Sequence, residues 1–369
     1  MRVIKFLIIL IFSSLLLFSC QKKGTNAIKF GATFPLTGDV ASYGISAKQG
    51  IELKIEEVNK EGGLLGKKII VDFQDDKNDK KEAVSIFNKF ATIDKVPVVF
   101  GSAGSTVSLA IVPLANKYHV VLISPISSSK QLSNKGGEYF FRTCPADNLQ
   151  AEVLAKWVAE SGAKRVAIVY TNNSWGKPLA EDFKELFTKS GGHIVLFEGI
   201  EENTTDVRTV ISKIKSIKSL DAIVSPTYPK EGGTFVMQLK QMGVNVPLYG
   251  GDNWGSPEFL QIAGDAANGV FYTAPTQSKS PYYEGFVKNF ERKFHKEPDV
   301  FSAYAYDAAT AIVKSIKKAK SFKPQDIRET LIGIDFMGVS GEIKFKPNGD
   351  LETKGFDKRT IKDGKSVVL

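Results

Sequence analysis

The chain has 369 residues, of which 43% are hydrophobic and 24% are charged. This composition supplies a large hydrophobic core and excludes a disordered chain, a collagen-like repeat and a small disulfide scaffold. The formal net charge of +9 comes from lysines spread along the chain, without the basic stripes that bind phosphates, so we expect no nucleic-acid partner.

Cysteine and histidine are too few and too scattered for a metal centre. The chain contains two cysteines, Cys20 and Cys144, and three histidines that lie far apart, His119, His193 and His295. None of them has metal-ligand spacing, and two cysteines cannot form a disulfide framework. The sequence therefore predicts no metal.

An export signal is predicted at the N-terminus. Arg2 and Lys5 precede an apolar run that is shorter than the roughly 20 residues needed to cross a membrane. The run ends at Cys20 in a pattern that resembles a bacterial lipoprotein signal. We predict a signal peptide over residues 1–19, a lipid on Cys20 that anchors the protein to a membrane outside the cytoplasm, and a polar tether over residues 20–27. A plain secretory signal with an incidental cysteine is the alternative.

The rest of the chain alternates short β-branched runs with amphipathic stretches of helical length, which is typical of βαβ units. In the first series, strands are predicted at 28–33, 69–75, 96–100 and 120–124, and helices at 45–59, 80–93 and 105–116. In the second series, strands are predicted at 165–170, 194–200, 221–225 and 247–249, and helices at 149–160, 177–190, 207–217 and 233–242. Helices at 282–294, 303–319 and 324–332 and a strand at 341–345 follow. We predict an α/β fold of two Rossmann-like lobes with parallel sheets.

The loops that follow the predicted strands carry the functional candidates, because ligands of open α/β sheets bind beyond the carboxyl ends of the strands. Hydroxyls, backbone amides, aromatic rings and one carboxylate recur in these loops. They span residues 101–106, 124–129, 170–175, 227–229 and 250–254. This set suits a zwitterion, which needs an anion pole, a cation pole and a shaped apolar slot.

The first series offers the anion pole. Ser105 opens a helix after a glycine-rich turn, where unpaired N–H groups and the helix dipole favour a carboxylate. Ser128 can add a second hydroxyl. The alternatives are an ordinary N-cap for Ser105 and an ordinary polar loop for Ser128.

The second series offers the cation pole. Asp252 and Tyr228 each follow a strand end and can accept a hydrogen bond from an ammonium group. The alternatives are an Asx turn for Asp252 and a partly buried surface ring for Tyr228.

Two aromatic residues are candidates for the apolar slot. Tyr43 and Trp175 each precede a glycine, and we expect both on loops at the start of helices, with structural packing as the alternative use. Asp147 and Gln150 are expected to form the N-cap and the exposed first turn of a helix, with a supporting role in the cleft as the alternative.

These loops belong to an ordered set of motifs along the chain. The set comprises Phe34-Pro35-Leu36-Thr37-Gly38, Tyr43-Gly44, Gly62-Gly63, Asp75-Asp76, Gly101 to Thr106, Ser124-Pro125, Phe141-Arg142-Thr143, Asp147-Asn148-Leu149-Gln150 and Gly250-Gly251-Asp252. Together they resemble the branched-chain amino-acid (Leu/Ile/Val-type) periplasmic binding proteins over nearly the whole mature chain.

The resemblance implies the type I periplasmic binding fold, in which two lobes joined by three hinge crossings close over one small ligand. We assign 28–146 and 275–352 to the first lobe, and 147–274 and 353–369 to the second. The implied partners are an amino acid and the permease and ATPase subunits of an ABC importer.

The resemblance also implies residue roles. Ser105 and Ser128 match positions that hold the ligand carboxylate, with the main chain of Ile126 beside them. Tyr228 and Asp252 match the pair that binds the ammonium group. Two further positions, Tyr43 and Trp175, match the aromatic lining of the side-chain pocket.

One departure from the family concerns cysteine. Well-studied members carry a first-lobe disulfide, whereas Asn78 and Gly104 stand at the corresponding positions here. We expect Cys144 to pack as a small apolar residue.

Other functions are less well supported by the sequence. The chain lacks a Gly-x-Ser-x-Gly elbow and has no Gly-x-Gly-x-x-Gly motif after the first strand, so we expect neither catalysis nor a dinucleotide or other cofactor. A ligand sensor that feeds a signalling partner is an alternative, as is a binding protein for a small amide, urea or carboxylate. Such a ligand lacks an ammonium group and has no use for Asp252.

Overall fold

The structure is a computed structural model that describes residues 26–276, 280–352 and 355–369. The predicted signal peptide and Cys20 lie outside these residues, so the lipid anchor stays a prediction. Within the described ranges, no helix is both long enough and apolar enough to cross a membrane.

The strands and helices alternate along most of the chain. The strands are β1 (Ala27–Phe34), β2 (Lys68–Asp75), β3 (Val98–Gly101), β4 (Val121–Ser124), β5 (Phe140–Arg142), β6 (Arg165–Thr171), β7 (His193–Ile200), β8 (Ala222–Ser225), β9 (Leu248–Gly250), β10 (Phe271–Pro275), β11 (Asp335–Gly338), β12 (Gly341–Lys344), β13 (Phe356–Lys362) and β14 (Lys365–Val368). The helices are α1 (Ala41–Lys60), α2 (Lys80–Asn88), α3 (Ser105–Tyr118), α4 (Lys130–Lys135), α5 (Asp147–Glu160), α6 (Gly176–Lys189), α7 (Arg208–Lys215), α8 (Pro229–Gln241), α9 (Pro257–Ala263), α10 (Tyr283–Phe294), α11 (Val300–Ala319) and α12 (Pro324–Ile332).

Two sheets with the same strand order organise the molecule. The first is a five-stranded parallel sheet in the order β2-β1-β3-β4-β5. The second repeats this order as β7-β6-β8-β9-β10 and adds β13 and β14 as an antiparallel edge. We call the first sheet with its helices the first lobe, and the second sheet with its helices the second lobe. The prediction of an α/β fold with two Rossmann-like lobes is confirmed.

Burial explains why the central strands form. All four residues of β3 are buried, as are all four of β4 and of β8. Parallel strands covered by helices on both faces need such continuous apolar runs rather than an alternating pattern. In both sheets the strand order reverses beside β1 or β6, and this switch point is where open α/β sheets bind their ligands.

The chain passes between the two sheets three times. It leaves the first sheet after β5, returns to the first lobe after β10, and enters the second sheet again at β13. Between the last two crossings, α11 packs along α1, and its residues share the core of the first sheet. The hinge is therefore built from three separate segments, while the exact lobe boundaries stay a prediction.

One boundary differs from the prediction in a way that concerns the site. Helix α1 begins at Ala41, so Tyr43 lies in its first turn rather than in a preceding loop. The N–H of Ala41 donates to the carbonyl oxygen of Gly38, and that of Tyr43 to Val40. The apolar residues of this first turn do not show helical spacing, which is why the sequence pattern places the start of the helix four residues later.

Several short helices and strands are not predicted by the hydrophobic periodicity of the sequence. The sequence pattern does not predict α4, α9, β5, β10, β11, β13 or β14. Most of them are too short to show a period. The β13–β14 hairpin has a recognisable signal, the pair Asp363-Gly364, in which both residues take positive φ.

Candidate functional site

A cavity lies between the lobes at the carboxyl ends of the strands. It contains about 420 Å³ of space free of protein atoms, including a part open to solvent. The structure brings all seven predicted ligand-binding residues onto its wall, namely Tyr43, Ser105, Ile126, Ser128, Trp175, Tyr228 and Asp252. The rest of the lining is Val40, Asn78, Ala103, Gly104, Asn253 and Phe301. Among these lining residues there is no lysine, arginine or histidine.

Ser105 is the first residue of α3 and is 2% exposed. Gly104, not Ser105, occupies the N-cap, so the ordinary cap expected as the alternative does not form. The Ser105 hydroxyl oxygen accepts a hydrogen bond of 3.2 Å from the N–H of Ser129. Its own hydrogen is therefore available to a ligand, beside the unpaired N–H groups of the helix start.

The loop that carries Ile126 and Ser128 is fixed by hydrogen bonds among serines. The hydroxyl of Ser124 accepts from the N–H groups of Ile126 (3.2 Å) and Ser127 (2.9 Å). The Ser127 hydroxyl donates to the carbonyl oxygen of Ser102 at 2.9 Å. This anchoring aims Ser128, 8% exposed, at the cavity, whereas the N–H of Ile126 is already engaged within the loop.

Cys144 lies under the same loop, where it is buried and forms no disulfide. Its thiol donates to the carbonyl oxygen of Ser127 at 3.4 Å. It thus packs as a small residue, as expected, and adds a weak hydrogen bond to the loop.

Asp252 begins a short helical turn that is separated from β9 by Gly251 alone. Its Oδ1 accepts a long hydrogen bond, 3.4 Å, from the amide of Gln150, which also donates to Thr273 at 3.0 Å. Burial raises the pKa of Asp252 to about 6, against the lowering effect of Gln150 and nearby backbone N–H groups. A carboxylate with so little compensation favours a cationic partner.

Asp147 and Gln150 are not the exposed first turn that the sequence predicts. Asp147 is 1% exposed and Gln150 is 0% exposed, and Ala146 takes the N-cap position of α5. The first turn is buried because the chain at this hinge crossing runs into the cleft, as shown by the Asp147 N–H donating to the carbonyl of Ser128. Local sequence carries no signal for this burial.

Neither oxygen of the Asp147 carboxylate accepts a well-formed hydrogen bond among the described residues, although the side chains of Ser128 and Trp175 lie near enough to interact with it. Burial, and then the charge of Asp252, raise its pKa to about 8, while Ser128, Arg142 and Trp175 lower it less. The buried Asp147 carboxylate is thus close enough to the Asp252 carboxylate for the two charges to interact. A positive charge nearby would stabilise the ionised form of both carboxyl groups.

Trp175 and Tyr228 form the second-lobe face of the apolar slot. Their rings stack with centroids 5.4 Å apart. Asn173 fixes Trp175 through an Asx turn, since its side-chain oxygen accepts from the N–H of Trp175 at 3.0 Å and of Gly176 at 2.8 Å. Burial and four nearby carboxylates raise the pKa of Tyr228, so its hydroxyl stays protonated.

Tyr43 joins the two lobes across the cavity. Its hydroxyl donates to Oδ1 of Asn253 at 2.8 Å, and its ring meets Phe301 edge to face at 4.9 Å. Burial raises the pKa of Tyr43, which keeps this donor protonated. The slot is therefore closed on the first-lobe side by two rings.

Sequence reasoning missed part of the lining. Asn78 follows β2, and the rule of inspecting strand-end loops identifies it when applied there. Asn253 lies in the strand-end loop 250–254, which was predicted, although the residue was not singled out there. Phe301 carries no local signal, because the fold brings it to the cavity from the first turn of α11. Among the described residues, no cluster of His, Cys, Asp and Glu could hold a metal ion.

Comparison with known proteins gives a consistent result. Residues 27–356 match the family model of the periplasmic binding proteins. The chain is 32% identical over 345 residues to the Leu/Ile/Val-binding protein BraC3 of Rhizobium johnstonii, covering 92% of this chain and 93% of that one. It is similar to the crystal structure of the branched-chain amino acid transporter substrate binding protein LivJ from Streptococcus pneumoniae in complex with isoleucine, with a TM-score of 0.84, 31% identity and coverage of 93% and 99%. The chain therefore belongs to the periplasmic binding protein family, among the relatives of the Leu/Ile/Val-binding proteins.

Proposed function

We propose that this protein binds one amino acid in the cavity between its lobes and performs no chemistry on it. The observation that carries this proposal is the pair formed by Asp252, on the cavity wall, and the buried Asp147, whose oxygens accept no well-formed hydrogen bond among the described residues. An ammonium group placed between them satisfies both carboxylates.

The ligand carboxylate binds at the opposite pole. Ser105 and Ser128 supply hydroxyl groups, and the start of α3 supplies N–H groups and the positive end of a 14-residue helix. The N–H of Ile126 already donates to Ser124, so its main chain offers the ligand a carbonyl oxygen, which accepts from the ammonium group and not from the carboxylate. The aliphatic or aromatic side chain of the ligand then lies among Tyr43, Trp175, Tyr228 and Phe301.

Closure of the hinge couples binding to shape. The anion pole belongs to the first lobe, and Asp252, Tyr228 and Trp175 to the second, so a ligand that contacts both lobes favours the closed state. The proposed lobes are 28–146 with 275–352, and 147–274 with 353–369. A transporter can then distinguish loaded from empty protein by shape.

The family and the names of the relatives support a role in uptake. The protein is extracytoplasmic and delivers its ligand to the permease and ATPase subunits of an ABC importer. A lipid on Cys20 holds it at the membrane. Metabolic labelling with a fatty-acid analogue tests the anchor, and Cys20→Ser abolishes the label and releases the protein from membranes.

The alternative ligands, a small amide, urea or carboxylate, are disfavoured by the acidic pole. A neutral or anionic ligand leaves the Asp252 carboxylate, which is ionised at neutral pH, on the cavity wall without a cation. The same site could serve a sensor, because binding and closure are identical in both roles.

A thermal-shift screen of the mature protein tests the ligand class. Amino acids should raise the melting temperature by mass action, whereas the corresponding amides, ureas and carboxylic acids should not. Asp252→Asn should weaken amino-acid binding by roughly 100-fold, because it removes one partner of a buried charge pair. Asp265→Asn, at an exposed position of the second lobe, is the control. Stabilisation by a carboxylic acid, equal in the parent protein and Asp252→Asn, contradicts the proposal.

A further inference from the structure

One polar group on the cavity wall is not among those assigned above to the amino and carboxyl groups of the ligand. Asn78 follows β2 in a left-handed turn with φ of 58°, and its N–H donates to Oδ1 of Asp76 at 2.9 Å. Its side chain packs against Gly104, where a Cβ would collide with Oδ1 of Asn78. The close approach of this amide and this glycine fixes the side chain at the wall of the cavity.

The Asn78 side-chain oxygen is shielded from solvent and accepts no hydrogen bond among the described residues. Buried polar atoms in folded proteins are nearly always paired, so an unpaired one beside a cavity points to a partner that arrives with the ligand. A hydroxyl group suits this position because it both donates and accepts, and so pairs with either edge of the amide.

The other polar groups of the lining are already assigned. Ser105 and Ser128 form the anion pole, and Asp252 with the hydroxyl of Tyr228 and the buried Asp147 forms the cation pole. Asn253 accepts from the hydroxyl of Tyr43, which ties these two groups to one another. Within the described lining, Asn78 is the polar side chain that remains for contact with the side chain of the ligand.

We propose that Asn78 hydrogen-bonds a hydroxyl group on the side chain of the bound amino acid, and that the cavity therefore prefers a small hydroxyl-bearing amino acid to its methyl isostere. This inference rests on the proposed function, since it assumes that the main-chain groups of an amino acid occupy the two poles. It makes Asn78 a residue that determines specificity in a slot whose other walls are largely apolar.

Threonine and valine provide the test, because they differ by a hydroxyl in place of a methyl group. We expect isothermal titration of the mature protein to show roughly five- to tenfold tighter binding of threonine, the usual worth of one hydrogen bond. Asn78→Gly preserves the left-handed turn, removes the amide and should abolish the preference. Asn78→Asp keeps an acceptor of the same shape and should retain it.

The control is Lys77→Gly, which alters the neighbouring exposed residue of the same turn, also at positive φ, and should leave the threonine-to-valine ratio unchanged. An equal ratio in the parent protein and Asn78→Gly overturns the inference while leaving amino-acid binding intact. Failure of the parent protein to bind any amino acid overturns the proposed function, and this inference with it.

Discussion

The guanidinium of Arg142 donates from Nε to Oδ1 of Asp350 at 2.7 Å, in a buried ion pair between residues far apart in the chain. The same guanidinium donates from Nη1 to the carbonyl oxygens of Ser127 (3.3 Å) and Ser129 (2.9 Å). These two residues flank Ser128. The ion pair therefore holds the loop that presents the Ser128 hydroxyl to the cavity.

Removal of Asp350 should destabilise both the fold and the site. In Asp350→Ala the buried guanidinium loses its counter-charge, and we expect the free energy of unfolding to fall by about 3–5 kcal/mol. Ligand affinity should fall too, because Arg142 no longer holds the loop in one position. Urea denaturation and calorimetric titration measure the two effects.

The matched control for this change is Asp206→Ala. It breaks an ion pair with Arg208 that has the same close N···O geometry, 2.6 Å, but lies exposed on the second lobe. Little change in stability is expected there. If both variants lost the same free energy of unfolding, burial of the Arg142–Asp350 ion pair would contribute nothing to stability.

Ligand binding should release protons below about pH 8. The pKa of Asp147 is raised to about 8 by burial and by Asp252, so at pH 7 its carboxyl group is mostly protonated in the ligand-free protein. An ammonium ligand favours the ionised form and expels the proton, so affinity should rise as the pH increases from about 6 to 8. Titration in buffers of different ionisation enthalpy measures the proton count.

The stability of the ligand-free protein should change in the opposite sense. Because the folded Asp147 and Asp252 hold protons that the unfolded chain has already lost, their contribution to stability declines as the pH rises through the same window. Asp147→Asn removes most of the proton release on binding. Unchanged proton release in this variant would assign the effect to another group.

Ion pairs between the lobes should support the closed state and make affinity depend on salt. Lys230 of α8 contacts Asp39 at 2.7 Å, and Lys130 of α4 contacts Asp182 of α6 at 2.8 Å. Each pair is partly exposed, so Lys230→Ala should weaken ligand binding by at most roughly fivefold, and less at high salt. Lys156→Ala, which removes a pair within α5, is the control.

Two glycine substitutions should change stability in opposite directions. A Cβ at Gly250 would collide with the ring of Trp254, which is fully buried, so Gly250→Ala should cost about 1–3 kcal/mol or more of the free energy of unfolding. At Gly285, in α10, an added Cβ meets nothing, and Gly285→Ala should stabilise the protein by about 0.4–1 kcal/mol. Thermal or chemical denaturation of both variants checks the difference.

Much of the architecture follows from patterns within short stretches of sequence. The runs at β3, β4 and β8 are apolar at every position, and the helices between strands bury one face, so alternation alone indicates parallel sheets and two lobes. The strand-end rule then led to Ser105, Ser128, Tyr228 and Asp252, which the structure places on one cavity. Their roles in ligand binding stay predictions.

The failures share a physical cause. Asp147 has the local sequence of an exposed helix start, and only the hinge crossing buries it beside Asp252. Tyr43 meets Asn253, 210 positions later, through a contact that exists only when the lobes face one another. Such relations depend on the distance between segments in space, which local periodicity does not encode.

The sequence by itself determined the two-sheet α/β architecture and the family, because hydrophobic periodicity and glycine-rich strand-end loops are local properties that each segment carries alone. Only the tertiary structure decided that a second carboxylate, Asp147, is buried near Asp252, and that Asn78 brings an unpaired amide oxygen to the cavity wall. Desolvation of these groups depends on packing between segments that are distant in the sequence. The preference of this cavity for a cation is therefore established only when the chain has folded.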